Sequence, residues 1–131
     1  MLGKFFENNG KGIYAITRIV VGLLFLAHGA MKFGLFKGEF AMPSGLFLAA
    51  GIIEVVAGLA LAFGIFSRLV AFISGIEMLV AYVYAHFPKG WNPLGNGGEL
   101  AIMYLMFFLI VMVNGNGIAS LEKVFSKKEM F

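Results

Sequence analysis

Ionisable side chains lie inside stretches of this sequence that are otherwise apolar enough to cross a membrane. They are six in number: Arg18, His28, Lys32, Glu54, Glu77 and Glu99. A charged side chain at the centre of a bilayer is unfavourable by roughly 2.5 to 3.5 kcal/mol on insertion scales. A short chain that keeps several such groups must therefore pair them with each other or use them in its chemistry. Any functional site is expected among these residues.

The types of these side chains suit proton transfer and hydrogen bonding to a ligand. Glu54 and Glu99 are the candidate catalytic residues, because a carboxylate in an apolar surrounding can relay a proton. Lys32 can donate hydrogen bonds, and an aromatic wall can hold an apolar ring. The candidate substrate-binding residues are His28, Lys32, Phe25 and His86.

The same residues also have interpretations without a ligand. Arg18 and Lys32 have long side chains that could reach the lipid headgroups, and the two histidines could form hydrogen bonds at the membrane interface. Glu99 could cap a helix, with Asn96 as the first residue of an Asn-x-x-Glu capping box. Structural ion pairs are expected among the following residues: Arg18, Lys32, Glu54, Glu77 and Glu99.

The composition of the chain excludes several classes of protein. Its 131 residues are 60% hydrophobic and 13% charged, whereas soluble domains are about 45 to 50% apolar and about 25% charged. The basic residues are scattered and form no stripe, so nucleic acid is not expected as a partner. Without cysteine, the chain alone has no thiolate nucleophile or iron–sulfur ligand.

Four segments are long and apolar enough to cross a bilayer as helices, since about 20 residues span its hydrocarbon core. We predict an all-α integral membrane four-helix bundle, a single domain over residues 1–131, with transmembrane helices at about residues 13–33, 44–66, 68–87 and 98–117. Only a short turn separates the second and third spans, so these two helices are expected to be antiparallel.

The distribution of basic residues predicts the orientation of these spans. Six basic residues lie on the side of the two termini, and two lie on the other side. The larger group is Lys4, Lys11, Arg68, Lys123, Lys127 and Lys128, and the smaller group is Lys37 and Lys89. By the positive-inside rule both termini are predicted to be cytoplasmic, in a multi-pass protein of the cell membrane.

Helical phase predicts which face of the first span looks into the bundle. At about 100° per residue, Arg18, Gly22, Phe25, Gly29 and Lys32 share one side of that helix. Glycines on this side would let a neighbouring backbone approach closely.

The second span carries its carboxylate in a similar setting. Glu54 lies between Gly51 and Gly58, so it is expected to be buried in protein rather than in lipid. We predict that Lys32 pairs with Glu54 or Glu99. We also predict a cavity between the first, second and fourth spans near His28 and these residues, with Phe25 and aromatic residues of the third span closing its sides.

The order and spacing of several motifs resemble those of the DoxX family along nearly the whole chain. The motifs are Arg18-x3-Gly22-Leu23-Leu24-Phe25-Leu26-x-His28-Gly29-x2-Lys32, Glu54-x3-Gly58-x5-Gly64-x3-Arg68-x2-Ala71, Met78 to His86, Asn96-Gly97-Gly98-Glu99 and Gly115-x-Gly117-x2-Ser120-Leu121. Glu122 stands where many members have aspartate. The resemblance implies four transmembrane helices. It also implies kinship with the DoxD-type small subunit of thiosulfate:quinone oxidoreductase, with maturation proteins and with cargo receptors.

Three functions are compatible with this resemblance. The first is a small, quinone-binding subunit of a membrane oxidoreductase, which would need a further membrane or peripheral redox subunit. The second is a non-catalytic assembly factor, chaperone or cargo receptor, in which the polar residues specify only helix pairing. The third is a small transporter, which with four spans would act as a homo-oligomer. Whether the chain is an enzyme is left open.

Cofactor expectations are limited. His28 and His86 lie on different helices at similar predicted depth, as the ligands of a bis-histidine haem do. With only two candidate ligands, no metal or covalent cofactor is predicted. Quinone is the cofactor that the chain could bind.

Overall fold

The structure is a computed structural model that describes residues 1–35, 38 and 41–129. Throughout these residues all regular secondary structure is helical. The helices are α1 (Leu2–Lys32), α2 (Gly45–Phe63), α3 (Ser67–Ala81), α4 (Pro93–Asn96), α5 (Glu99–Asn114) and α6 (Leu121–Ser126). Helix α3 continues into a π-helical turn, Tyr82–His86, and a 3-10 turn, Phe87–Lys89.

Three of these segments are long and apolar enough to cross a membrane, namely Leu2–Lys32, Gly45–Phe63 and Ser67–Lys89. Helix α5 is apolar but has 16 residues. At 1.5 Å per residue it is about 24 Å long, which is less than the roughly 30 Å of a hydrocarbon core. It is shorter than the predicted span because Gly115, with φ 65°, ends it. The fold is a helical bundle of three long apolar helices and a shorter one.

Helix α1 begins earlier than the predicted first span. Residues 1–11 are all exposed, and an added Cβ at Gly3, Gly10 or Gly12 would meet nothing within 4 Å. Tyr14, farther along α1, is in contact with the bundle: its hydroxyl donates to the carbonyl of Gly115, the residue that follows α5, at 2.5 Å. The start of α1 therefore projects beyond the bundle as a free helix.

Helices α1 and α2 pack with their backbones in contact, as the glycine pattern predicted. A Cβ at Gly22 would lie 2.8 Å from the Ala62 nitrogen, and a Cβ at Gly29 would lie 2.8 Å from Glu54 Cβ. The buried residues of α1 are Ala15, Arg18, Gly22, Phe25 and Gly29. The predicted inner face of the first span is therefore confirmed up to Gly29.

The second packed pair is α3 with α5, and an aromatic cluster joins the two pairs. Phe25 of α1 lies with its ring centroid 4.9 Å from that of Tyr104 and 5.0 Å from that of Phe108, both on α5. Phe25 and Phe108 are completely buried. Large apolar side chains thus pack together at the middle of the bundle. The end of the bundle where α1 ends and α2 begins is less filled.

Only a short linker connects the two pairs. Helix α2 ends at Phe63, Gly64 follows in a left-handed conformation with φ 67°, and α3 begins at Ser67. Such a tight reversal makes α2 and α3 antiparallel neighbours. The orientation of the bundle in the membrane stays a prediction, and Lys37, one of the residues in the charge count, lies outside the described residues.

Candidate functional site

A cavity of about 900 Å³ opens between α1, α2, α3 and α5, at the end of the bundle where α1 ends and α2 begins. We call it the Lys32–Glu54 cavity. Its polar and aromatic lining residues are His28, Lys32, Phe47, Glu54, Glu77, Tyr84, His86 and Tyr104. Aliphatic residues make up the remaining walls. Several of the ionisable residues that the sequence singled out are therefore brought to one place.

The central polar contact of the cavity is an ion pair. Lys32 Nζ lies 2.5 Å from Glu54 Oε2, and the two side chains are 11% and 2% exposed. The close approach of Gly29 to the Glu54 Cβ fixes the carboxylate at this level of α1. Lys32 Nζ also lies 5.3 Å from the ring centroid of Phe47, in cation–π range.

His28 completes a small cluster with this pair. Its Nδ1 lies 3.4 Å from Lys32 Nζ and 3.8 Å from Glu54 Oε1. Its ring meets that of Tyr104 edge-on, with centroids 6.2 Å apart. The His28 side chain is 40% exposed, so it lies nearer the surface of the cavity than Glu54 does. The cluster offers several donors and one carboxylate acceptor to a ligand.

Glu77 on α3 lines the same cavity but is not paired. Its Oε2 atom is buried without a hydrogen-bond partner, and no ion pair of Glu77 is present among the described residues. The expectation of a structural ion pair for Glu77 is therefore wrong. The Oε2 atom is enclosed by protein, while the Glu77 side chain as a whole lines the cavity.

His86 reaches the cavity because α3 ends in a π-helical turn. Such a turn inserts an extra residue per turn and rotates the following side chains. His86 Nδ1 lies 3.2 Å from the Asn96 carbonyl, and its ring stacks on Tyr82 at 6.4 Å.

Across the described residues, no three His, Asp or Glu side chains are grouped so that they could hold a metal ion.

Two of the predicted site residues lie outside the cavity. Glu99 is exposed and makes no ion pair within the described part of the chain. Of the two partners predicted for Lys32, Glu54 or Glu99, the structure has Glu54. The N-cap of α5 is Gly98, the residue before Glu99, and not Asn96 as the capping box would require. The Asn96 Oδ1 instead accepts a hydrogen bond from the Gly98 nitrogen at 2.7 Å. Phe25 is buried behind Tyr104 rather than at the cavity wall.

Arg18 makes no ion pair with any residue that the structure describes. It is completely buried, and its guanidinium donates to the carbonyls of Leu61 and Ala119. The last carbonyls of a helix have no partner within that helix, so a planar guanidinium is well suited to reach one of them together with a loop carbonyl. Arg18 therefore joins α1 to the end of α2 and to the segment before α6, far from the cavity.

A network that the sequence did not predict surrounds this second polar region. Glu122 Oε2 accepts from the Phe66 nitrogen at 2.9 Å and from Asn116 Nδ2 at 2.6 Å. Ser120 Oγ donates to the Gly64 carbonyl at 2.8 Å. These groups tie the segment between α5 and α6 to the turn between α2 and α3. The final motif of the sequence is therefore structural.

Besides Phe47, Tyr104 is a cavity residue that the sequence analysis missed. It lies in the middle of an apolar helix, where a tyrosine hydroxyl is far from the interface and usually serves a buried polar partner. This position within an apolar helix is the feature of the sequence that could have identified Tyr104 as a site residue.

Comparison with known proteins agrees with this architecture. The DoxX family model matches residues 13–87, which include α2, α3 and most of the apolar part of α1. A protein of Haemophilus influenzae, described as an uncharacterized protein, is 39% identical over 122 residues, which cover 87% of this chain and 91% of the relative. No solved structure matches this chain.

Proposed function

Because the chain belongs to the DoxX family of multi-pass membrane proteins, we propose that it is a small membrane subunit of an oxidoreductase that binds a quinone in the Lys32–Glu54 cavity. The observation that carries this proposal is the cavity itself, which joins a buried ion pair to apolar walls. Its volume of about 900 Å³ lies in the range of sites for small organic ligands, about 300 to 1,000 Å³.

The polar groups of the cavity match the two redox states of a quinone head. The oxidised form presents carbonyl oxygens, which accept hydrogen bonds from the Lys32 ammonium and the Tyr104 hydroxyl. The reduced form presents hydroxyls, which donate to a carboxylate such as Glu77, which lines the cavity. Glu54, hydrogen-bonded to Lys32, is the further carboxylate through which a proton can pass.

Electrons must come from another protein in this proposal. The chain contains no cysteine, so it has no thiolate that could collect electrons from a sulfur compound. A peripheral or membrane redox subunit would deliver them to the bound quinone. The chain thus supplies the quinone site, the proton groups and the membrane anchor, and its helices contact lipid.

The proposed topology places four helices across the cell membrane, with the shorter α5 as the fourth span and both termini in the cytoplasm. The excess of lysine and arginine on the side of the termini supports this orientation. The cavity then lies in the outer half of the membrane.

The assembly-factor alternative is less well supported by the geometry. In that case the buried charges would serve only helix pairing, and a filled core with satisfied charges would be expected. The volume of the cavity favours a ligand.

The proposal is tested by measuring the quinone that purifies with the protein from native membranes. We expect about one quinone per chain at most, and a loss of most of it in the double variant Lys32→Met, Glu54→Gln, which removes the pair without leaving a single buried charge. The matched control is Lys123→Met, Glu129→Gln, since this pair lies at the other end of the bundle, with 3.5 Å between its charged atoms. Equal quinone content in all three proteins, or none in any, would contradict the proposal.

A further inference from the structure

We infer that the ligand enters the Lys32–Glu54 cavity sideways from the bilayer, between α2 and α3, and carries a hydrocarbon tail that remains in this opening. The inference rests on the proposed function for the identity of the head group. It adds a route of entry and a second part of the site, which binds the tail.

The first observation is that cavity-lining residues of α2 and α3 are also on the outer surface. Leu46 of α2 is 68% exposed and Tyr84, just after α3, is 71% exposed, and both line the cavity. Ile76 of α3 lines it too and is about half exposed. Exposure this high at lining residues of both helices means that the cavity is open rather than enclosed. In a bilayer, a mouth between α2 and α3 would face lipid.

The second observation is that small side chains line this opening. Ala49 and Ala50 belong to α2, and Ala81 and Ala85 belong to α3 and its π-helical turn. Ala49 and Ala85 are exposed as well. Larger side chains at these positions would extend across the gap, so the alanines keep it open.

Two neighbouring seams between helices are closed. Helices α1 and α2 are in backbone contact, with Gly29 against Glu54 and Val55 at 2.8 Å for an added Cβ. Helices α3 and α5 are also packed, because a Cβ at Gly75 would be in ordinary contact with Leu105 and Phe108 at 3.6 and 3.9 Å. On the α1–α5 side few residues line the cavity, whereas most of its lining belongs to α2 and to α3 with its π-helical turn. The gap between α2 and α3 is therefore the lateral route that we infer.

Polarity changes along this route in the order that an amphiphile requires. Charge lies at the inner end, where Lys32 and Glu54 are 11% and 2% exposed. The outer end consists of aliphatic side chains and alanines. A polar head can then bind at the ion pair while its apolar tail stays between the two helices in contact with lipid.

Two ubiquinone analogues test the inference, one without a tail and one with a decyl tail, in titrations of the full chain in nanodiscs. The variants Ala49→Trp and Ala85→Trp each fill the opening from one side, and thermal unfolding checks that they are folded. The control variants are Leu59→Trp and Phe72→Trp, at exposed positions of α2 and α3 that do not line the cavity.

We expect Ala49→Trp and Ala85→Trp to weaken binding of the decyl analogue about tenfold, the effect of displacing roughly two methylene groups. Binding of the tailless analogue should change by less than about twofold, and the controls should behave as the wild type. Unchanged binding of the decyl analogue in both variants would overturn the inference while leaving the quinone site intact. Failure of the wild type to bind either analogue would instead overturn the proposed function, and the inference with it.

Discussion

Lys32 Nζ and Glu54 Oε2 are 2.5 Å apart, and this contact links the last turn of α1 to the middle of α2. Glu54 is almost completely buried, so its charge depends on that one lysine. The other buried cation, Arg18, contacts backbone carbonyls instead. The two cations therefore have different tasks: Arg18 holds helix ends together, and Lys32 forms the polar end of a cavity.

The variant Lys32→Met should destabilise the detergent-solubilised protein by about 3 kcal/mol, because it leaves the buried Glu54 carboxylate without its cation. Only the His28 ring, 40% exposed and 3.8 Å away, then remains beside it. The free energy of unfolding can be measured by titration with sodium dodecyl sulfate in mixed micelles. Adding Glu54→Gln should restore part of this loss, since the double variant has no unpaired charge at this position.

Lys123→Met is the control for this experiment. Its side chain is 42% exposed, so the loss should stay below about 1 kcal/mol. If Lys32→Met were no more destabilising than Lys123→Met, the ion pair with Lys32 would not be what stabilises the buried carboxylate of Glu54.

Gly29→Ala should destabilise the bundle by about 1 to 3 kcal/mol, because the new methyl group would lie 2.8 Å from both Glu54 Cβ and the Val55 nitrogen and would push α1 away from α2. Gly10→Ala is the same substitution in the free part of α1, where nothing lies within 4 Å. There the higher helix propensity of alanine should leave stability equal or increase it by up to about 1 kcal/mol. Thermal unfolding of both variants in detergent measures the contrast, and similar values for the two would contradict the close packing of α1 on α2.

Arg18→Lys should destabilise the protein by roughly 2 kcal/mol despite the retained charge, because a lysine cannot donate in the fixed fork that joins the Leu61 and Ala119 carbonyls. Arg68→Lys is the comparison. The Arg68 side chain is 43% exposed and lies 3.5 Å from Glu129, so a loss below about 1 kcal/mol is expected. Equal losses would mean that charge alone, and not the geometry of the guanidinium, matters at Arg18.

The sequence predicted the helices and the inner face of α1 because both follow from simple patterns. Long apolar runs define the spans, and glycines at helical spacing mark the close contact of α1 with α2. The burial of Glu54 followed from the same reasoning, since Gly51 and Gly58 lie on either side of it on the buried face of α2.

Glu99 shows where this reasoning fails. Its predicted depth in the membrane matches that of Lys32 and makes it one of the two alternative partners, but depth does not determine the direction of a side chain. The buried residues of α5 include Ala101 and Tyr104, and Glu99 lies about 200° around the helix from Ala101. Helix α5 is apolar on all sides, so no periodicity in its sequence indicated which side faces the bundle.

The π-helical turn after α3 and the contacts of Glu122 were also beyond sequence reasoning. A π-turn depends on local packing rather than on a residue pattern. The carboxylate of Glu122 bonds to the Phe66 nitrogen and to Asn116, and only the fold brings these distant segments together.

The predicted topology can be tested with single cysteines, because the natural chain has none. A cysteine at Gly95, which is exposed with open space around it, should react with an impermeant maleimide in intact cells. A cysteine at Gly10 should react only after the cells are permeabilised. Labelling in the reverse order would show that the termini are outside.

The central claim, that a quinone binds in the Lys32–Glu54 cavity, is tested most directly by labelling the wild-type protein in native membranes with a photoreactive azido-quinone and mapping the adducts by mass spectrometry. We predict adducts on cavity-lining residues such as Ile53, Met78 and Tyr104, which disappear when excess unlabelled quinone is added. Adducts confined to lipid-facing residues such as Leu59 and Phe72, and unaffected by competition, would contradict the claim.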